Sequence, residues 1–581
     1  MTPPRRVHPG DIASADTTIA DDAGDSAGAL DLMLSDAALG TWRRFVPGLA
    51  VVRLAASLSK RPDTVLRAGV GLALELARIG AKHSDLAAAP KDRRFKDSAW
   101  TDNSALHGIL QGYLAGSASA RSLLSNPIDA MPWRDRERLT FLLDNILDAS
   151  APSNVPLLNP LAWKALRETK GRSAVSGLRN FVVDMSTSPR VPTMVDPEAF
   201  EVGRDLALTP GAVVHRTPVF ELIHYAPTTP TVHRVPLLII PPVINKYYIV
   251  DLAPGRSMVE YFLSQGQQVL TISWRNPDAR HRDWGIDAYA AAILEAVDAT
   301  RAITRSKTVH LQSFCSGGIL SAMLAGHLAA TGRLGELASF NLCVAVLDQR
   351  RAGLPSALLD EATAKAAVLA SSAKGYLDGR ALAEIFAWLR PNDLIWNYWV
   401  NNYLLGRKPP AFDVLAWNAD TTRMTAALHE GFIEMAVANS LVEPGSVSAL
   451  GSAVDLRTVD VDSYILAGIA DHICPWQSCY RSTQLLGGRS RFVLSTSGHI
   501  ASLVNPPGNP KASFLTNETN GPDPQQWLEG STPTLGSWWP DFVGWLAERS
   551  GGRKRAPRSL GRPAAGYAPM EAAPGTYVFD A

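Results

Sequence analysis

The sequence predicts an α/β domain built on a parallel sheet and preceded by a helical region. From about residue 210 onward, short apolar runs alternate with amphipathic helical stretches, whereas the preceding part shows helical periodicity alone. Repetition of strand, helix and strand implies a parallel sheet covered by helices on both faces. The runs interpreted as buried strands are Leu237–Ile240, Val269–Trp274, Thr308–Gln312, Phe340–Leu347, Tyr464–Ala470 and Arg491–Leu494.

Length and composition bound the possible classes. A chain of 581 residues has room for two to four domains, and with 46% hydrophobic and only 19% charged residues most of it should fold. The 56 basic and 55 acidic residues give a net charge of +1, too little to attract a phosphate backbone. We therefore expect no nucleic-acid partner.

The N-terminal sequence carries no apolar stretch of the kind found in a secretory signal. The longest apolar runs, such as Val235–Val243, are interrupted by proline and fall far short of the ~20 residues that span a bilayer. These features predict a soluble, intracellular protein without a transmembrane segment. Residues 1–36 are small and polar and predict a disordered tail.

Residues 37–205 are expected to form the N-terminal helical region, and residues 206–550 the catalytic domain. The helical patterns cover Leu49–Leu58, Val65–Ile79, Ala105–Leu124 and Glu137–Ala149. Residues 551–581 read as a C-terminal tail with a basic cluster, which is either simply solvated or weakly attracted to an anionic surface or partner.

Residues 349–462 are far too long for an ordinary strand-to-helix connection and predict an inserted cap. Aromatic residues are dense in this insertion. They either line an apolar substrate path or fill the core of the cap itself, and the sequence leaves both interpretations open. The residues are Tyr376, Phe386, Trp388, Trp396, Tyr398, Trp399, Tyr403, Phe412 and Trp417.

The strand Thr308–Gln312 runs directly into Ser-Phe-Cys-Ser-Gly-Gly at 313–318 and then into a helical pattern. This is a G-x-S-x-G nucleophile elbow of the α/β-hydrolase type, with Cys315 in the serine position and Ser313 in that of the first glycine. A sharp turn from strand to helix needs small neighbours. It exposes the nucleophile at the start of a helix, where the dipole favours a thiolate.

An elbow of this kind needs an acid and then a histidine, in that order along the chain. Asp471 follows the strand Tyr464–Ala470, and His499 follows the strand Arg491–Leu494. Cys315, Asp471 and His499 are therefore the predicted catalytic residues. Asp348, at another strand end, is the rival for the acid.

The other cysteines, Cys343, Cys474 and Cys479, are expected to be structural. With no CxxC pairs, metal-ligand cluster or phosphate-binding glycine loop, the sequence predicts neither a metal nor a bound cofactor.

The chain resembles the poly(3-hydroxyalkanoate) synthases over nearly its whole length, from about residue 90 to 550, including the elbow, Asp471 and His499. Their elbow reads Gly-x-Cys-x-Gly-Gly, so Ser313 departs from the family pattern and puts the tightness of the turn in question. Seven stretches in order carry the resemblance: DRRFKDSAW (92–100), APSN (151–154), PPVINKYYIVDL (241–252), SWRNP (273–277), LRPNDLIWNY (389–398), DHICPW (471–476) and SGHIASLVNPP (497–507).

The resemblance implies an α/β-hydrolase fold and a polymerising acyltransferase that converts (R)-3-hydroxyacyl-CoA to polyester and releases coenzyme A. Cys315 would carry the growing acyl chain, His499 would be the general base, and Asp471 would orient it. For the oxyanion, we expect the backbone N–H of Ser316 and a second donor near Val243.

The resemblance further implies a homodimer in the cytoplasm, at the surface of its polymer granule, of the single-subunit type. The stretches 396–406 and 505–512 favour the branch that uses medium-chain monomers. The alternative enzyme is a cysteine-dependent esterase or polyester depolymerase of the same fold. A granule-coating protein with an inactive site is a third possibility, which an intact Cys315, Asp471 and His499 argue against.

Overall fold

A computed structural model of the chain describes residues 48–90, 92–128, 131–186, 190–350 and 361–581. The expected disordered tail at 1–36 lies outside these residues. The described residues divide into two compact units, one comprising residues 200–379 and 416–581 and the other the described residues up to 199 together with 380–415. We call them the sheet unit and the helical unit.

The sheet unit contains all the strands, which we number along the chain. They are Gly211–Arg216 (β1), Phe220–Tyr225 (β2), Thr231–His233 (β3), Leu237–Ile240 (β4), Val269–Trp274 (β5), Val309–Phe314 (β6), Leu337–Cys343 (β7), Tyr376–Leu377 (β8), Met424–Thr425 (β9), Ser448–Ala449 (β10), Ser452–Ala453 (β11), Ser463–Gly468 (β12), Ser490–Ser495 (β13), Ser513–Thr516 (β14), Thr532–Leu535 (β15), Arg553–Arg555 (β16) and Glu571–Ala572 (β17).

Eleven of these strands form one sheet in the order β15-β14-β13-β12-β7-β6-β4-β5-β2-β1-β17. The six strands from β13 to β5 are mutually parallel, and they are the six that the apolar runs predict. β4, β5, β6 and β12 are buried along their whole length, which explains why they read as continuous apolar runs. Antiparallel strands extend the sheet at both edges.

The helices of the sheet unit surround this sheet. They are Met258–Ser264, Ile286–Thr304, Ser316–Ala330, Glu361–Lys374, Ala426–Ala438, Trp476–Leu485, His499–Val504, Pro524–Glu529 and Trp539–Glu548. Ile286–Thr304 and Ser316–Ala330 are buried over most of their length, consistent with a sheet that is covered by helices.

The helical unit contains Gly48–Ser59, Pro62–Gly80, Ala99–Asp102, Ser104–Ile128, Trp133–Ala149, Pro160–Glu168 and Arg172–Ser186. Its part of the insertion holds most of the helix Gly379–Leu389, the π-helical segments Asn392–Trp396 and Trp399–Leu404, and the start of Asp413–Ala419. The insertion predicted as one cap is therefore divided between the two units.

Three rings of the insertion pack within the helical unit. Trp399 and Tyr403 contact Phe181 edge to face, at centroid distances of 6.0 and 5.4 Å, and Trp396 contacts Trp399 at 5.8 Å. The Tyr403 hydroxyl donates to Asp184 at 2.7 Å. Tyr403 is buried, as expected of a core residue, whereas Trp396 and Trp399 are partly exposed.

The C-terminal residues 551–581 differ from the free tail that the sequence predicts. β16 pairs with β3, and β17 pairs with the sheet at β1. The buried Lys246 ammonium donates to the carbonyl oxygens of Val578 and Asp580 at 2.9 and 2.5 Å. The segment is ordered because its main chain completes strand edges and satisfies charged groups that the sheet unit buries.

Glu221 on β2 shows how strongly this segment is held. Its side chain is fully buried and accepts hydrogen bonds from the N–H groups of Thr576 and Tyr577 at 3.0 and 3.1 Å, and from Arg216 at 2.7 Å. An unpaired carboxylate here would be costly, so Glu221 and the C-terminal segment stabilise each other.

We expect Glu221→Gln to lower the free energy of unfolding by about 3 kcal/mol. The buried amide of glutamine would point its NH₂ group at an N–H group that now donates to the carboxylate. The urea-unfolding midpoint and the rate of proteolysis within 563–581 measure the effect. Glu201→Gln, which removes an exposed charge paired with Arg204, is the control and should leave both unchanged. Equal midpoints for the two variants would contradict this role of Glu221.

Within the residues that the structure describes, no helix is both long enough and apolar enough to cross a membrane.

Candidate active site

Cys315 lies at the point where β6 ends and the helix Ser316–Ala330 begins. Its φ of 48° and ψ of −120° are strained for a residue with a side chain, as expected of a nucleophile elbow. A Cβ on Gly317 would lie 2.5 Å from the Pro241 carbonyl oxygen, and one on Gly318 would lie 2.6 Å from the Ala345 Cβ. Only glycine therefore fits the two positions that bring the helix against the sheet.

The hydroxyl of Ser313, the departure from the family pattern, has a hydrogen-bond partner. Ser313 is fully buried, and its hydroxyl donates to the hydroxyl of Ser321, in the second turn of the following helix, at 2.8 Å. The added polar group therefore has a partner.

Asp471 and His499 follow β12 and β13, at the same edge of the sheet as Cys315. His499 Nδ1 and Asp471 Oδ2 are 2.7 Å apart, and both residues are buried. A Cβ on Gly468, the last residue of β12, would lie 2.6 Å from the Ser497 carbonyl oxygen, so this glycine lets the loop before His499 approach the strand that precedes Asp471. The carboxylate thus fixes the orientation of the imidazole, as the order nucleophile, acid and histidine requires.

A second thiol joins this group. Cys315 Sγ, a ring nitrogen of His499 and Cys474 Sγ all lie within 4.8 Å of one another. Sequence reasoning assigned Cys474 a structural role and missed this position. The available signal was its spacing of three residues from Asp471, because an aspartate often caps the backbone that follows it in a turn.

The electrostatics of the group favour an ion pair of thiolate and imidazolium. A hydrogen bond from the Cys474 thiol and the contact with His499 lower the pKa of Cys315 to about 5, although burial opposes this shift. Burial lowers the pKa of His499, but the charge and hydrogen bond of Asp471 and the contact with Cys315 outweigh it and raise that pKa to about 10. The hydrogen bond to Cys315, together with burial, raises the pKa of Cys474.

We expect Cys315 to be alkylated by iodoacetamide at a rate that stays high from neutral pH down to about pH 5 and then falls as the thiolate is protonated. An ordinary thiol would lose its reactivity below about pH 8.5. Mass spectrometry of the peptide containing Cys315 measures the rate, and Cys315→Ala identifies any background. A midpoint near that of free cysteine would contradict the ion pair.

The two predicted oxyanion donors lie side by side. The N–H of Val243 donates to the Ser316 hydroxyl oxygen at 3.1 Å, and both residues are buried. In this state the Val243 N–H is thus engaged by Ser316 and has to exchange that partner in order to bind an oxyanion.

The rival residues have other partners. Asp348 accepts hydrogen bonds from Arg350 at 2.7 Å and from the Asn439 amide at 3.1 Å, and it lies 3.1 Å from the Arg481 guanidinium. Cys343 accepts from the Gln312 amide at 2.8 Å through its sulfur, and Cys479 contacts the Cys474 carbonyl at 3.7 Å. The histidine bonds to Asp471, so the geometry favours Asp471 over Asp348 as the acid.

Among the described residues, the side chains whose possible ligand atoms lie close enough together to hold a metal ion are Cys315, Cys474 and His499, which offer two thiols and one imidazole. Two of the three, Cys315 and His499, are the predicted nucleophile and base. The absence of a metal and of a cofactor from the chemistry stays a prediction.

Two family models match the chain. Residues 91–262 match the family described as "Poly-beta-hydroxybutyrate polymerase (PhaC) N-terminus", and residues 250–506 match the alpha/beta hydrolase fold. The second match contains the elbow, the acid and the histidine, and it confirms the predicted fold class.

Curated relatives match over most of their length. Poly(3-hydroxyalkanoate) polymerase 1 from Ectopseudomonas oleovorans is 47% identical, over 87% of this chain and 90% of the relative. Poly(3-hydroxyalkanoate) polymerase subunit PhaC from Cupriavidus necator is 40% identical, over 84% and 83%. Among solved structures, a hydrolase from Pseudomonas aeruginosa is 14% identical with a TM-score of 0.34, over 52% of this chain and 94% of that one.

Proposed function

Because the chain belongs to the poly(3-hydroxyalkanoate) polymerases, we propose that it polymerises (R)-3-hydroxyacyl-CoA through a covalent thioester on Cys315. It is an acyltransferase with an α/β-hydrolase fold. The observation that carries the mechanism is the Cys315 thiol at a strained elbow, within 4.8 Å of an imidazole that is itself bound to Asp471 at 2.7 Å.

In the loading step, the Cys315 sulfur attacks the carbonyl carbon of the hydroxyacyl thioester. The bond from this carbon to the sulfur of coenzyme A breaks, and the departing thiolate takes the proton that His499 holds. The Ser316 N–H is placed at the start of the elbow helix, where it can donate to the developing oxyanion. The exchange of one thioester for another is nearly balanced, so the acyl group remains activated.

In the elongation step, the 3-hydroxyl of one acyl unit has to lose its proton and attack the carbonyl of another. His499, neutral after loading, is the base placed for this role, and Asp471 stabilises the imidazolium that forms. Formation of the ester bond releases a thiol and lengthens the chain by one unit. A serine in place of Cys315 would form an oxygen ester and lose that activation.

Water competes with the hydroxyl in this step. Cys315 and His499 are only 5% and 9% exposed, which disfavours hydrolysis of the acyl-enzyme. The curated relatives, which are named polymerases, support a polymerase over the alternative, a cysteine-dependent esterase or depolymerase with the same residues.

We also propose that the protein is a synthase of the single-subunit type that prefers medium-chain monomers. We propose that it forms a homodimer and acts in the cytoplasm, at the surface of the polymer granule. Segments 396–406 and 505–512 support the medium-chain preference.

The test is to incubate the purified protein with (R)-3-hydroxyacyl-CoA of several chain lengths and to follow coenzyme A release, polymer mass and soluble acid together. The proposal predicts coenzyme A release matched by polymer, fastest with medium-chain substrates. Release matched by soluble 3-hydroxy acid would instead indicate the hydrolase.

A further inference from the structure

Cys474 is a second thiol inside the active site, and the acyl-transfer mechanism does not use it as a nucleophile. All four cysteines are free and buried, and Cys474 is the one whose sulfur lies within 4.8 Å of both Cys315 Sγ and a ring nitrogen of His499. It is 1% exposed.

The backbone holds Cys474 at this position. Asp471 Oδ1 accepts the N–H groups of Ile473 and Cys474, both at 2.9 Å, while Oδ2 of the same carboxylate binds His499. One carboxylate therefore fixes the base and the second thiol relative to each other. The placement of Cys474 beside the nucleophile is built into the loop that also forms the site.

We propose that Cys474 is a resolving thiol, which forms a reversible disulfide with Cys315 when the protein meets hydrogen peroxide. A disulfide bond is about 2.05 Å long, so the two sulfurs have to approach by less than about 3 Å from their present separation. Rotation of the cysteine side chains between staggered rotamers covers a displacement of this size.

The chemistry needs no group beyond those present and the peroxide. The Cys315 thiolate attacks one oxygen of hydrogen peroxide, the O–O bond breaks, and the departing hydroxide takes the His499 proton to become water. Neutral His499 then takes the Cys474 proton, and the Cys474 sulfur attacks the sulfenic sulfur of Cys315. The second hydroxide leaves with that proton as water. Two thiols and one peroxide thus give one disulfide and two waters.

The thiolate form makes Cys315 the thiol that reacts first. It is held as a thiolate beside an imidazolium, and the thiolate is the form that peroxide oxidises. Cys343 and Cys479 lack this activation, because burial raises the pKa of each. The disulfide would block acyl loading, and it would keep Cys315 from irreversible oxidation to the sulfinic acid.

The test exposes the full chain, without acyl substrate, to a small excess of hydrogen peroxide at neutral pH. We expect the intact mass to fall by about 2 Da, with a crosslinked peptide pair that joins Cys315 to Cys474. Dithiothreitol should restore both the mass and the coenzyme A release. The mass is measured without acyl transfer, so failure of this inference is distinguishable from failure of the proposed function.

Cys474→Ala is the decisive variant. Without a resolving thiol, Cys315 should gain about 32 Da as the sulfinic acid, and dithiothreitol should restore no activity. Cys479→Ala, which removes a buried thiol from the same loop and helix region, is the matched control and should behave as the parent. The inference is overturned if Cys474→Ala recovers as fully as the parent, if the crosslink joins other cysteines, or if peroxide leaves Cys315 reduced.

Discussion

Replacement of Cys315 by alanine is expected to abolish acyl loading and to lower polymer formation by about 10⁴-fold or more, because no other activated thiol can replace it. Cys474 is close; this variant removes the hydrogen bond with Cys315 that chiefly raises its pKa, but burial and the charge of Asp471 still raise that pKa and disfavour its thiolate. Alanine fits the elbow where cysteine fits, so the fold should be retained. Coenzyme A release in a rapid-quench experiment measures the first turnover directly.

Two further variants make this result specific. Cys315→Ser keeps the shape of the elbow and should load slowly and then stall, because an oxygen ester is a poorer acyl donor than a thioester. Cys479→Ala should load and elongate as the parent does. Loading that survives in Cys315→Ala would assign the acyl group to another residue.

Asp471→Asn is expected to cause the second largest loss of activity, and the loss should differ between acyl loading and elongation. An asparagine that still accepts the N–H groups of Ile473 and Cys474 presents its amide NH₂ to His499 Nδ1. The histidine then adopts the wrong tautomer, a change that costs about 10⁴-fold where a histidine acts as the base.

Elongation should carry most of this loss, because it requires His499 to remove a proton from an alcohol, whereas loading begins from a thiol of lower pKa. The measurement compares the burst of coenzyme A, which reports loading, with the later steady rate, which reports elongation. Asp348→Asn tests the rival acid. Its ratio of the coenzyme A burst to the steady rate should equal that of the parent. Equal losses of burst and steady rate in Asp471→Asn would count against the assigned roles.

The sequence predicted the centre of the sheet well, for a physical reason. Strands buried on both faces, such as Leu237–Ile240 and Val269–Trp274, read as continuous apolar runs. The edges carry no such signal. β15 is exposed along its length and contains proline, and it is a strand because its main chain pairs with β14.

The C-terminal segment is a stronger example of structure that the local sequence does not reveal. Its composition of glycine, proline, alanine and arginine resembles a solvated tail. Its order depends on partners more than 300 positions earlier in the chain, including Glu221 and Lys246, which local composition does not reveal.

At the active site, Cys315, Asp471 and His499 were predictable because each comes within a few residues of the end of an apolar strand, and parallel strands end at one edge of the sheet. The place of Cys474 depends instead on how the loop folds around Asp471. The engagement of the Val243 N–H by the Ser316 hydroxyl likewise depends on the approach of two loops that are 73 positions apart.

The most direct test of the account identifies the atom that carries the acyl group. The protein is mixed with isotopically labelled (R)-3-hydroxyacyl-CoA, quenched in acid within the first turnovers, digested, and analysed by mass spectrometry. We expect a hydroxylamine-sensitive thioester on the peptide containing Cys315, and its loss in Cys315→Ala. Label on a different residue, or polymer that accumulates while Cys315 remains unacylated, would contradict it.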